Sequence, residues 1–65
     1  MAIYQALGPG DLVCIHIPGH EDHNLLGFVA FAPNKDRIVM VGTRTQLIPI
    51  HEANLILVRR KGEAL

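Results

Sequence analysis

The chain has 65 residues and a mass of 7.2 kDa, and its charges cancel: six Lys+Arg against six Asp+Glu. That length holds one small domain. Zero net charge excludes a polymer binder driven by bulk positive charge and a highly charged disordered tail.

Of the 65 residues, 49% are hydrophobic and 20 are Ile, Leu or Val, which is a folding composition. So short a chain buries only ~60% of its unfolded surface, and domains below ~70–80 residues usually need a staple. Cys14 is the single cysteine, so no internal disulfide can form. The surplus of apolar residues then points to self-association. The first residues lack the basic segment and long apolar run of a signal peptide, and no run reaches the ~20 apolar residues of a membrane helix. The expected setting is cytoplasmic, away from any membrane, and the lone thiol agrees with it.

In chain order, Gly8-Pro9-Gly10 isolates a short N-terminal segment, with residues 3–7 expected as a loose helical turn or an extra strand. Residues 11–17 are dominated by β-branched side chains, with Val13, Ile15 and Ile17 on one face, and predict a first strand. Pro18-Gly19 ends it, and the polar stretch 20–24 reads as a loop. Residues 25–32 predict a second strand, with a bulge or bend at Gly27. Pro33-Asn34-Lys35-Asp36 is a turn. Residues 37–41 predict a third strand and 45–50 a fourth, with Pro49 as a defect. Residues 51–54 read as a single 3-10 turn. Residues 55–60 predict the fifth strand, and the chain frays from Lys61.

Five short strands on connections of three to seven residues predict an all-β fold, a small five-stranded antiparallel barrel with a 3-10 turn before the last strand. Val13, Ile15, Val29, Ile38, Met40, Ile48 and Leu57 are the expected core, joined by both phenylalanines, Phe28 and Phe31. Several strands are apolar on both faces: Ile38 and Met40 oppose Val39 and Val41, and Leu55 and Leu57 oppose Ile56 and Val58. One small barrel has one interior, so the second face should be covered, either in part by loops or, as the favoured reading, by a subunit.

Little in the chain points to catalysis. It contains no serine and no tryptophan. Cys14, between Val13 and Ile15, reads as an inert packing residue. Gly8-Pro9-Gly10 lacks the lysine and helix of a phosphate loop. His16, His20, Glu21, Asp22 and His23 lie within eight residues, a spacing that can bring imidazoles to one cation. Without cysteines it reads instead as a solvated loop, so neither a metal nor another cofactor is expected. Residues 1–34 carry a net charge of −3 and residues 35–65 carry +3. A ring of subunits repeats such a basic patch into a basic rim.

Gly27-Phe28-Val29-Ala30-Phe31, Pro33-Asn34 and Ile38-Val39-Met40-Val41 resemble the first motif of the Sm/LSm family. Gln46-Leu47-Ile48-Pro49-Ile50-His51 resembles the second motif of its bacterial Hfq-like branch, with Pro49 and Ile50 where that branch has Tyr and Lys. The resemblance spans about residues 11–60. It implies an Sm-like barrel that forms a homo-oligomeric ring through its fourth and fifth strands. It further implies single-stranded RNA contacted by Asn34, Arg44, Gln46, His51 and Asn54, and no enzymatic activity.

Two other small barrels are similar. Gly10-x-x-Val13-x-Ile15, Pro18 and Asn24-x-x-Gly27-x-Val29-Ala30 resemble the photosystem I subunit PsaE, an SH3-like docking protein, which implies an adaptor on a larger assembly. Thr45-Gln46-Leu47-Ile48-Pro49 shares a glutamine with the pore motif of type II dihydrofolate reductases, which implies a pore-type reductase.

Overall fold

The computed structural model describes residues 6–63, so the expectation for residues 3–7 falls largely outside it. Five strands form one antiparallel sheet: β1 (Leu12–Ile15), β2 (Leu26–Phe31), β3 (Ile38–Gly42), β4 (Leu47–His51) and β5 (Leu55–Arg59). A 3-10 turn, Glu52–Asn54, joins β4 to β5, as its length predicts. The spatial order is β4-β3-β2-β1-β5. The sheet does not close on itself, and β4 and β5 are its two edges.

One face of the sheet curves over the core, which comprises Leu7, Val13, Ile15, Val29, Val39, Val41 and Ile50, with Ile17, Ile48, Leu55 and Leu57 packed against it. The phase expected for β1, β4 and β5 is the one observed. That of β3 is reversed: Val39 and Val41 are fully buried, whereas Ile38 and Met40 are only partly covered on the opposite face. Alternation cannot choose between two apolar faces. Pairing does choose, because Val29 lies opposite Val41 and Val39 opposite Ile50.

The phenylalanines also depart from expectation, with Phe28 50% and Phe31 62% exposed. The inward positions of β2 are Gly27 and Val29. At Gly27 a β-carbon would come within 2.6 Å of Val41 Cγ1 and 2.9 Å of the Gly42 carbonyl oxygen. The interior has no room for a methyl group there, still less for a ring, so Leu26 and Phe28 take the outer face. The bulge in β2 falls between Val29 and Phe31, not at Gly27. Cys14 also takes the outer face, where it is only partly covered.

The two ends of the domain are tied together. The buried Asp11 carboxylate accepts hydrogen bonds from the Gly8 N–H (2.9 Å), the Lys61 N–H (2.9 Å) and the Arg60 guanidinium (3.1 Å). Arg60 also donates to the Ala6 carbonyl at 2.6 Å. The chain at Lys61 is therefore anchored and not frayed. These N–H groups and the guanidinium hold the Asp11 carboxyl below the ordinary carboxylate range, against the opposing effect of burial.

Candidate functional site

The five residues singled out from the sequence fall at three places on the sheet. Asn34 and His51 share one. Asn34 Oδ1 accepts the N–H groups of Asp36 (2.8 Å) and Ile38 (3.0 Å), which folds residues 34–38 into a side-chain-stabilised turn. Its side-chain oxygen is thereby engaged, and the amide nitrogen remains as a donor. His51 pairs with Ile38 across β3 and β4 and caps the 3-10 turn, its Nδ1 accepting the Ala53 N–H at 3.1 Å. That bond makes Nδ1 the acceptor and leaves the Nε2 edge of the exposed ring to solvent.

Between them stands Arg37, which the sequence reading placed at the start of a strand. It lies instead in the turn, with a left-handed φ of 62°, a conformation that costs a non-glycine residue on the order of 1 kcal/mol. Its carbonyl accepts the Glu52 N–H (2.9 Å), and its Nε lies 3.3 Å from Glu52 Oε1. The signal in the sequence was the run Asn34-Lys35-Asp36, whose turn extends one residue further than expected. Beside this pair a cavity of about 300 Å³ opens, lined by Leu7, Arg37, His51, Glu52, Leu55 and Leu57 with Ala53.

Asn54 lies elsewhere. Its carbonyl accepts the His16 N–H at 2.7 Å, so the far end of the 3-10 turn rests against the end of β1.

Arg44 and Gln46 occupy the β3–β4 hairpin loop. The Thr43 N–H and hydroxyl both donate to the Gln46 carbonyl, at 2.8 and 3.2 Å. Both side chains are exposed, and Arg44 makes no ion pair among the described residues. They line an open groove of about 630 Å³ with Asn24, Leu25, Leu26 and Thr43. From the Ile38–His51 pair to the Gly42–Leu47 pair is four residues, or ~13 Å of strand. Arg44 and Gln46 therefore do not join Asn34 and His51 in one site within a single chain.

The histidine loop is held by its own rings. His23 Nδ1 accepts the Ile17 N–H (3.1 Å) and His20 Nδ1 the Asp22 N–H (3.0 Å). The His16 and His23 rings lie 5.0 Å apart. Among the described residues no three His, Cys, Asp or Glu side chains converge on a metal site. Nor, among those residues, is any helix long and apolar enough to cross a membrane.

Comparison with known proteins returned no match: no family model, no curated protein and no solved structure.

Proposed function

We propose that the chain is the subunit of an Sm-like homo-oligomeric ring that binds single-stranded RNA. The observation that carries this reading is the strand order, which leaves β4 and β5 as the two edges. An edge strand presents unpaired N–H and C=O groups. Pairing β4 of one subunit with β5 of the next is a head-to-tail contact, which closes into a ring when the rotation allows. On this reading the sheet is an Sm-type barrel wall completed by its neighbours, and assembly supplies the burial that 65 residues lack. Pro49 has no N–H, so the β4 edge forgoes one ladder bond in this pairing.

RNA is the proposed ligand because the ring would repeat exposed donors once per subunit. Arg44 and Gln46 supply a phosphate contact and a base-edge contact, and Asn34, His51 and Asn54 supply others at different points of the ring. The proposed setting is cytoplasmic, supported by the single free thiol. No residue is assigned a catalytic role. An adaptor role draws on a separate observation, the apolar outer face of the sheet, and would show as stoichiometric copurification of a specific protein.

The test joins mass to affinity. The mass in solution should be a multiple of 7.2 kDa. Fluorescence polarisation with oligo-uridine and oligo-adenine at two salt concentrations should show binding that falls with salt. Arg44→Ala should weaken it and flatten the salt dependence, and His51→Ala should weaken it with less effect on that slope. A stable monomer at micromolar concentration removes the ring, and no binding at low salt removes the RNA.

A further inference from the structure

The outer face of the sheet carries almost no charge. Leu26, Phe28, Leu47, Ile56 and Val58 all point outward and are each half-exposed, between 50% and 54%. Cross-strand pairing places four of them in two adjacent rows, and Val58 lies at the β1–β5 register shift outside both. One runs Leu47–Gly42–Phe28–Leu12 and the other Ile56–Cys14–Leu26. Arg59, opposite Leu12, sits at the rim.

We infer that this face is an interface with a second copy of the chain, packed face to face about a two-fold axis. This contact is distinct from the edge pairing proposed above and does not depend on it.

Three observations favour a second copy. The first is area. A half-exposed Leu, Ile or Phe leaves roughly 100 Å² of apolar surface. Five on one face leave about 500 Å² before the partly covered Leu12, Cys14 and Met40 are added, against ~800 Å² per partner in a standard interface.

The second is charge. A two-fold contact sets each patch against itself, so a charged patch would repel its copy. This patch is uncharged but for its rim, and the chain's net charge is zero.

The third is shape. Gly42 lies between Leu47 and Phe28 in its row and leaves a dent. The depression there measures about 220 Å³ and is lined by Leu12, Leu26, Gly27, Phe28 and Gly42, with Thr43 and Arg44 at its rim. An apolar cavity of ~150 Å³ holds a benzene ring, so the dent can take an aromatic side chain. Phe28 stands beside it as the matching knob. Knob and hole on one patch are what a self-complementary surface requires.

The experiment is native mass spectrometry of the full chain and of three variants. Leu26→Glu with Phe28→Glu should halve the assembly's mass and weaken the association on the order of a hundredfold, as loss of a buried aromatic anchor does. Leu47→Glu, two strands away in the same row, should act in the same direction. Phe28→Leu, which removes the ring but keeps an apolar knob, should weaken the association far less than either glutamate variant. These positions are half-exposed in the single chain, so each variant should keep its far-UV circular dichroism, and Leu47→Glu provides an independent arm should the double variant unfold.

An unchanged mass in both glutamate variants overturns the inference. So does an unchanged mass accompanied by lost RNA affinity, which would make the face a nucleic-acid surface, or by loss of a copurifying protein, which would make it an adaptor surface. The ring is judged separately by what remains. A halved assembly still containing several subunits supports both contacts, whereas a 7.2 kDa product supports the two-fold contact and removes the ring.

Discussion

Two ion pairs hold corners of this sheet, and they are built differently. At the corner where the chain enters and leaves, Asp11 is buried, its side chain 5% exposed, and its carboxylate receives two main-chain N–H groups as well as Arg60. At the corner where the β2–β3 turn meets the 3-10 turn, Glu52 is nearly as covered at 8%, but its partner Arg37 is 70% exposed. The first corner joins residues about 50 positions apart. The second joins two turns of which one side reaches into water. A buried carboxylate surrounded by donors organises the backbone around it. An ion pair with one partner in solvent contributes little, because water and salt compete for the charge.

The sharpest way to break the comparison is to remove Asp11. Asp11→Ala leaves the Gly8 and Lys61 N–H groups without their acceptor and takes the anion from Arg60. An N–H that loses its acceptor costs about 1–3 kcal/mol when buried; these two are partly covered, and with the Arg60 pairing lost as well the total should be about 3 kcal/mol. In a domain of this size 1 kcal/mol corresponds to roughly 4–8 °C, so the melting temperature should fall by on the order of 15 °C. A fall of under about 4 °C would mean that the corner is not what holds the two ends of the domain.

Acid sharpens the same point without a mutation. The Asp11 carboxyl titrates below its ordinary value in the folded chain. The unfolded state therefore takes up the proton first. The stability that this group contributes is complete above the unfolded value of ~3.9 and is lost as the pH falls through the lower folded value. Melting temperature followed from pH 7 downward should drop below about pH 4. Asp11→Asn, which cannot titrate, should start less stable and show a shallower acid limb.

The contrast between these corners was only half legible in the sequence. Strand positions were legible, because β-branched runs between Gly, Pro and Asn turns leave few alternatives, and so was the 3-10 turn, because four residues allow little else. Asp11 was visible only as a charge opening the first strand. Its partners lie at residues 60 and 61, and no local pattern links them. The phase of β3 was illegible for another reason, since Ile38-Val39-Met40-Val41 is equally apolar on either side. Its pairing with Val29 on one side and Ile50 on the other decides which face turns inward. The candidate site shows the same limit. Asn34 and His51 could be named from their turns, but that register would bring Arg37 between them, and hold Arg44 and Gln46 a strand length away, is a property of the folded sheet.

At the weaker corner the next effect comes from the cap. His51→Ala deprives the Ala53 N–H of its acceptor at an exposed turn. A lost cap costs about 0.5–2 kcal/mol in a helix, and a single 3-10 turn in water should lie at the low end. Chemical denaturation should show a loss of about 0.5–1 kcal/mol with an unchanged slope. A loss matching that of Asp11→Ala would mean that the two corners are equals.

The smallest effect should come from Glu52→Gln. The substitution keeps the side chain's shape and one carbonyl oxygen, so the Arg37 guanidinium still has an acceptor and only the charge is withdrawn. The Glu52 N–H bond to the Arg37 carbonyl is main-chain and survives. Its pair with Arg37 sets a covered carboxylate against a largely solvated guanidinium, a class worth about 0–1 kcal/mol. The expected loss is under about 1 kcal/mol, shrinking further in 1 M salt, where the screening length is ~3 Å. Measured beside Asp11→Ala at both salt concentrations, it isolates the cause of the difference. The Asp11 effect should persist in salt, because its main donors are fixed main-chain N–H groups aimed at a buried carboxylate. If instead both losses fade together in salt, the Asp11 corner is held by its charge pairing with Arg60 and not by the backbone that converges on it.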